Sequence, residues 1–219
     1  MKYVHKIKTQ KGFTIVELML ATAILSVILL VVSVMMIKIS NLYYKGINQT
    51  NVQDDVRSIA DDVSQHLQLN DRSPTTSTGP NVNAVCINTT RYSYILNTQI
   101  NTGGYQHVLW RDTVKSGSCS KADLTASDPG AATGGSNGTE LIAPNSRLTY
   151  FCITGVDGAG NPQPACVPGN SPFNIAVGVA YGGSDLLSGS GLNESCMGNI
   201  GDQFCATSKL ITTVVQRIP

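Results

Sequence analysis

The sequence predicts an α+β protein, with one long N-terminal helix that is transmembrane in its first half and packs through its second half on an antiparallel β-sheet. Three observations predict it. Residues Leu18 to Ile37 form a run of twenty without a charge, and at about 1.5 Å per residue a helix of that length covers the roughly 30 Å bilayer core. Beyond it, Val52, Val56, Ile59, Val63 and Leu67 recur at spacings of four, three, four and four, which puts them on one helical stripe. Finally, Phe173, Ile175, Val177, Val179 and Tyr181 alternate with Asn174, Ala176, Gly178 and Ala180, the period of a strand with one apolar face.

Composition narrows the function classes. Of 219 residues 13% are charged and 42% hydrophobic, too apolar for a disordered or polyanion-binding chain, so no direct nucleic-acid role is expected. Lys and Arg number 15 against 14 Asp and Glu, and Lys2, Lys6, Lys8 and Lys11 fall in the first eleven residues, where there is no acid. Basic charge at one end of an apolar span can orient it across a membrane.

The first element reads as one helix from about Phe13 to Leu69, with Gly46 its weakest point and Pro74 following where the periodicity stops. A secretory signal peptide is the rival reading of a basic start and an apolar run. Against it stand the length of the run, the lack of a small-x-small cleavage site after it, and the helical character of the residues that follow. Ser73 to Pro80 has the composition of a linker. Strands are expected at Ala84 to Asn97, Gln106 to Lys115, Arg147 to Gly155, Phe173 to Gly182 and Thr207 to Arg217, with Ser116 to Thr139 an exposed loop of variable shape. The expected organisation is therefore a basic segment at 1–12, a membrane-spanning helix at 13–39, its amphipathic continuation at 40–72, and an extracytoplasmic β-sheet domain at 73–219.

Six cysteines, Cys86, Cys119, Cys152, Cys166, Cys196 and Cys205, contain no C-x-x-C pair, and their even number suggests an oxidising compartment. Facing residues of an antiparallel hairpin have numbers that sum to twice the turn centre. Sequential pairing puts the centres at Thr102-Gly103, within Asp157 to Asn161, and at Ile200-Gly201, all turn-like sequences. It is one of fifteen connectivities. A mixed pattern, with the last two cysteines tying the C-terminal loop to the sheet, is the alternative.

The stretch Lys11-Gly12-Phe13-Thr14-Ile15-Val16-Glu17-Leu18-Met19 opens the apolar run, and here the chain closely resembles the type IV pilin and type II secretion pseudopilin superfamily. Its members carry a short basic leader ending in Gly, then Phe as first mature residue and Glu at the fifth mature position. Lys11, Gly12, Phe13 and Glu17 occupy those places, and Thr14 the common polar second one. The resemblance implies that prepilin peptidase cuts between Gly12 and Phe13 and N-methylates Phe13. It further implies assembly through Glu17 with other pilin or pseudopilin subunits, on an inner-membrane assembly platform, from the lipid bilayer of the cytoplasmic membrane to a pilus or pseudopilus at the cell surface. A minor pilin is expected. The strand sequences around Tyr92 to Leu96, Leu109 to Arg111 and Leu148 to Phe151 resemble those of PilW-like minor pilins and J-type pseudopilins. Unlike many pilins, the span from Phe13 to Ile39 contains neither proline nor glycine.

Residue chemistry gives Glu17 a purpose independently. An acid within an apolar span costs a few kcal/mol, about 2.5 to 3.5 at the bilayer centre and less near the interface, so it needs a partner. The ammonium freed at Phe13 lies one helical turn away, and a neighbouring subunit offers another. A Glu that simply reaches interfacial water is the plainer reading. The remaining motifs are weak. Gly134-Gly135-Ser136-Asn137-Gly138 matches G-x-S-x-G but lacks the strand and helix a nucleophile elbow needs. His66 reads as a boundary residue of the helix stripe, and His107 as a solvated turn residue. Asp157 to Asn161 lacks the acids of an EF-hand loop. Tyr92, Tyr94 and Trp110 alternate like sheet-face residues, and the four Asn-x-Ser/Thr sequons reflect composition. No enzyme, metal site or cofactor is expected. A membrane-anchored extracellular binding module that does not polymerise is the alternative function.

Overall fold

The computed structural model describes residues 12–115, 117, 119–157, 166, 168–198 and 201–217. The chain forms two compact units, Met1–Tyr43 and Tyr44–Pro219. Helix α1 spans Ile15–Gln68 and continues through Gly46, where a Cβ would meet nothing within 4 Å. A solvated glycine costs helix stability, about 1 kcal/mol relative to alanine, and fifty-four residues of helix absorb that.

In the second unit α1 buries Val52, Val56, Ile59, Ala60, Val63 and Leu67, the stripe its spacing lays on one face. Its end is tied down by the C-terminal tail. Arg217 N–H donates to Gln68 O at 3.1 Å and the Gln216 side chain donates to Asn70 O at 3.0 Å, taking up carbonyls that a helix C-terminus leaves free.

An antiparallel five-stranded sheet follows, built in order from β1 (Thr75–Ser77), β2 (Val82–Ile87), β3 (Thr90–Ile95), β4 (Leu109–Thr113) and β5 (Ser136–Glu140). The expected strand Ala84 to Asn97 is thus a hairpin of two strands. Asn88, at φ 56°, supplies the left-handed turn that joins them, a conformation asparagine tolerates. Likewise the linker-like Ser73 to Pro80 contains β1, which pairs Thr75 with Cys86.

The second sheet holds β6 (Ser146–Val156) and β7 (Asn170–Tyr181). After β7 comes a small hairpin of β8 (Leu187–Ser188) and β9 (Ser195–Cys196), and then β10 (Ala206–Val214), which gives the order β10-β7-β6. The alternating residues of β7 point Phe173, Ile175, Val177 and Val179 into one core with the α1 stripe and with Tyr92, Tyr94 and Leu109 of the first sheet. The sheets are stitched by Asn97 N–H to Leu148 O at 2.8 Å and by the Gln99 amide to Asn145 O and Gly182 O at 2.8 and 2.9 Å.

β3 is buried along its whole length. Tyr92 and Tyr94 face the core, whereas Arg91 and Ser93 project to the other side, where the chain from Cys119 to Leu124 covers them. Arg91 donates to both carboxylate oxygens of Asp112 and to Ser120 O at 2.6 Å, and Ser93 Oγ accepts Ala122 N–H at 2.9 Å. The expected exposed loop at Ser116 to Thr139 is therefore part cover and part strand, with Ala122 and Leu124 buried. Both members of the Arg91–Asp112 pair have fully buried side chains, so removing one partner would strand a charge at a cost of about 3–5 kcal/mol.

Disulfides join Cys86 to Cys119, Cys152 to Cys166 and Cys196 to Cys205. None joins residues that face each other in a ladder. Cys86 faces Arg91 and Thr75, Cys152 faces Ala176, and Cys196 faces Leu187. The hairpin arithmetic therefore describes loop closures rather than cross-strand pairs. Cys86–Cys119 anchors the covering segment over β3, and the other two close loops beside the second sheet.

Candidate functional site

Gly12, Phe13 and Thr14 precede the first helical residue, Ile15. Thr14 stands at the cap. Glu17 N–H donates to Thr14 Oγ1 at 3.2 Å, and Thr14 N–H donates back to Glu17 Oε2 at 2.9 Å. The Thr14 hydroxyl also donates to Oε2 at 3.0 Å. Thr-x-x-Glu with these reciprocal bonds is a capping box, which satisfies amide groups that a helix start leaves orphaned. The Thr-x-x-Glu spacing carries that signal in the sequence, so Glu17 has a local role besides any charge partner or interfacial water.

The cap places one carboxylate oxygen, Oε2, in local use and leaves Oε1 without a partner among the described residues. The anion sits at the positive end of a helix dipole, next to the Phe13 backbone. A cation brought to this end would meet a carboxylate that the cap already holds through Oε2. Phe13 itself is 86% exposed, and the bond between Gly12 and Phe13 lies outside the helix, where no helical hydrogen bonding holds the backbone.

From Phe13 through Tyr44 the large apolar side chains are exposed, including Leu18, Leu25, Leu30 and Ile37. Such a surface needs lipid or other apolar helices around it. Ile15–Gln68 is long and apolar enough to cross a membrane by length and composition. The hydroxyls within the span are turned onto its own carbonyls: Thr22 to Met19 O, Ser26 to Ala23 O and Ser33 to Leu29 O at 3.0, 2.8 and 2.8 Å. They present no unsatisfied donor to an apolar solvent.

The other sequence candidates resolve into structure. Ser136 opens the edge strand β5 and no helix follows it, so the elbow geometry is absent. His107 is not a solvated turn residue: its Nδ1 lies 3.2 Å from Glu140 Oε2 and its ring 4.4 Å from that of Trp110, a pairing produced by the β4–β5 register. Tyr92, Tyr94 and Trp110 are core residues, and burial pushes the Tyr94 phenol up to about 12. Asn48, first residue of one sequon, is buried and donates to Gln203 O at 3.1 Å. Lys11 and most of Asp157 to Asn161 lie outside the described residues. Among the described residues, no three His, Cys, Asp or Glu side chains gather as metal ligands.

A family model, the prokaryotic N-terminal methylation motif, matches residues 7–33. No curated protein and no solved structure matches the chain. The motif, the membrane-length helix it opens and the α+β layout beyond it support the type IV pilin and pseudopilin superfamily as the family of this chain.

Proposed function

We propose that this protein is a prepilin, a minor-pilin-type structural subunit, that is cut between Gly12 and Phe13 by prepilin peptidase, N-methylated on Phe13, and assembled through α1 into a type IV pilus or type II secretion pseudopilus. The observation that carries this reading is the methylation motif at residues 7–33, which runs into the first turns of a helix, Ile15–Gln68, whose first half is apolar and exposed. Polymerisation solves two physical problems together. It covers the apolar surface, and it gives Glu17 Oε1 the cation it lacks, the Phe13 ammonium of the same or a neighbouring subunit. In an apolar bundle an unpaired carboxylate costs several kcal/mol.

On this reading the subunit waits in the cytoplasmic membrane as a single-pass protein, with the disulfide-bonded unit outside the cytoplasm, and meets its partner subunits and the assembly platform there. Its role is structural, not catalytic. Glu17→Leu tests the assembly step. The variant keeps membrane-fraction levels of processed protein, because it removes an acid from the membrane edge, but it falls at least tenfold in sheared filaments. Normal incorporation at normal membrane levels would show that Glu17 serves only the helix cap. A membrane-anchored binding module that never polymerises would leave no protein in the sheared fraction for wild type either.

A further inference from the structure

We propose that the two depressions that share Tyr105 in their linings form a binding site for a neutral saccharide. Two depressions of about 320 and 480 Å³ share Pro80, Asn81 and Tyr105, each within the ~300–1,000 Å³ of small-ligand sites. Neither touches the helix N-terminus, and the proposal does not depend on the assembly reading.

Tyr105 is held before any ligand arrives. It is half-buried and packs against the main core, and its N–H donates to Thr102 O at 3.2 Å. The turn between them is made by Gly103 and Gly104 at φ 63° and 85°, a conformation that glycine supplies without strain. With its main chain held by the turn and its side chain packed against the core, this ring offers an apolar surface at reduced ordering cost on binding. The C–H face of a pyranose is a surface of that size and shape. Val82 and Leu124 continue the apolar floor on one side of the shared residues, Ile95 and Leu96 on the other.

The rim is polar, and its groups are free where a sugar would need them. Asn81 is exposed, and its side chain has no hydrogen-bond partner among the described residues. Asn83 Oδ1 accepts Gly79 N–H at 3.3 Å, which leaves its two amide protons. Asp123 Oδ1 takes Thr125 N–H and Oγ1–H at 3.1 and 2.6 Å, which leaves Oδ2 as an acceptor. Planar amides and a carboxylate beside one aromatic ring match vicinal hydroxyls, which donate and accept at fixed spacing. The charges argue for a neutral ligand: Lys121 and Asp123 are the charged residues of the lining, and they offset each other. A phosphate or an acidic glycan would find no cationic cluster. Two depressions sharing one ring suit a ligand of at least two sugar units.

The test uses the full-length chain in a detergent without a sugar headgroup, titrated by calorimetry with cellobiose, lactose, chitobiose and mannobiose. Saturable binding of at least one of them is expected. Asn81→Ala, at an exposed position that leaves the fold intact, and Tyr105→Leu, which keeps an apolar side chain over the core, should each weaken it at least tenfold, while Tyr105→Phe binds like wild type. Thermal unfolding of each variant checks that the fold is kept. No binding by any of the four sugars, or equal binding by wild type, Asn81→Ala and Tyr105→Leu, overturns the proposal.

Discussion

His66 lies where α1 meets the first sheet, its Nδ1 3.3 Å from Thr90 Oγ1 and its ring edge-on to Tyr92 at 6.3 Å. Burial pushes its imidazole below the usual value of 6.5; Asp62 opposes the shift and Arg111 adds to it. Asp62 is already engaged, since it accepts from Tyr92 OH at 2.8 Å and pairs with Arg111, so a protonated His66 gains little from it. A histidine whose folded value is depressed takes its proton more readily when unfolded. Its contribution to stability is therefore present above about pH 6.5 and is lost as pH falls toward the folded value. Between about pH 8 and 5, wild type should lose thermal stability relative to His66→Gln, measured by circular dichroism. Parallel curves for the two would show that His66 stays solvated. Residue-scale features differ in how far the sequence discloses them. Thr14 and Glu17 are three apart, and their capping box is legible without a structure. Arg91 and Asp112 pair only because β3 and β4 meet in one register, which no local pattern specifies.

Helix α1 and strand β7 were legible because each has a strong period of its own, and apolar residues at that period had to be buried together. β5 was not. Its sequence, Ser136 to Glu140 after two glycines, carries no apolar alternation, and it becomes a strand because glycine lets the backbone approach the side chains of β4. A Cβ at Gly138 would lie 2.0 Å from Trp110 Cζ2, and one at Gly135 would lie 2.1 Å from Asp112 Oδ2. Composition marks such a stretch as loop, while the tertiary contact makes it sheet edge. Gly138→Ala therefore forces the indole aside, and overpacking of this kind costs about 1–3 kcal/mol. Trp110 is the only tryptophan in the chain, so a red shift in its emission together with a lower urea midpoint is expected. Unchanged emission and midpoint would mean that β5 does not pack on the ring. The hairpin at Asn88 is hidden for a related reason: Ala84 to Ile87 and Tyr92 to Leu96 both read as strand, and the polar run Asn88-Thr89-Thr90-Arg91 between them holds no glycine or proline to mark a two-residue turn.

At the scale of the whole molecule the two ends of α1 face opposite demands. Val52, Val56, Ile59, Val63 and Leu67 are buried in the second unit's core, whereas the large apolar side chains from Phe13 to Ile39 are exposed. A chain that leaves that much apolar surface uncovered is made to be completed by something else, and the methylation motif at its head indicates by what. This division was visible in the sequence, since an uncharged span and an amphipathic stripe are separate patterns in one helix. The covering segment over β3, and the cleft at Tyr105, were not, because both arise where distant loops return to the sheet. Everything proposed for α1 depends on processing that makes Phe13 the first residue. N-terminal mass spectrometry of the protein isolated from its native host reads this step. An N-methylated phenylalanine, Phe13, is expected as first residue, with residues 1–12 gone; a chain still beginning at Met1, or one cut beyond residue 35, would overturn the pilin reading.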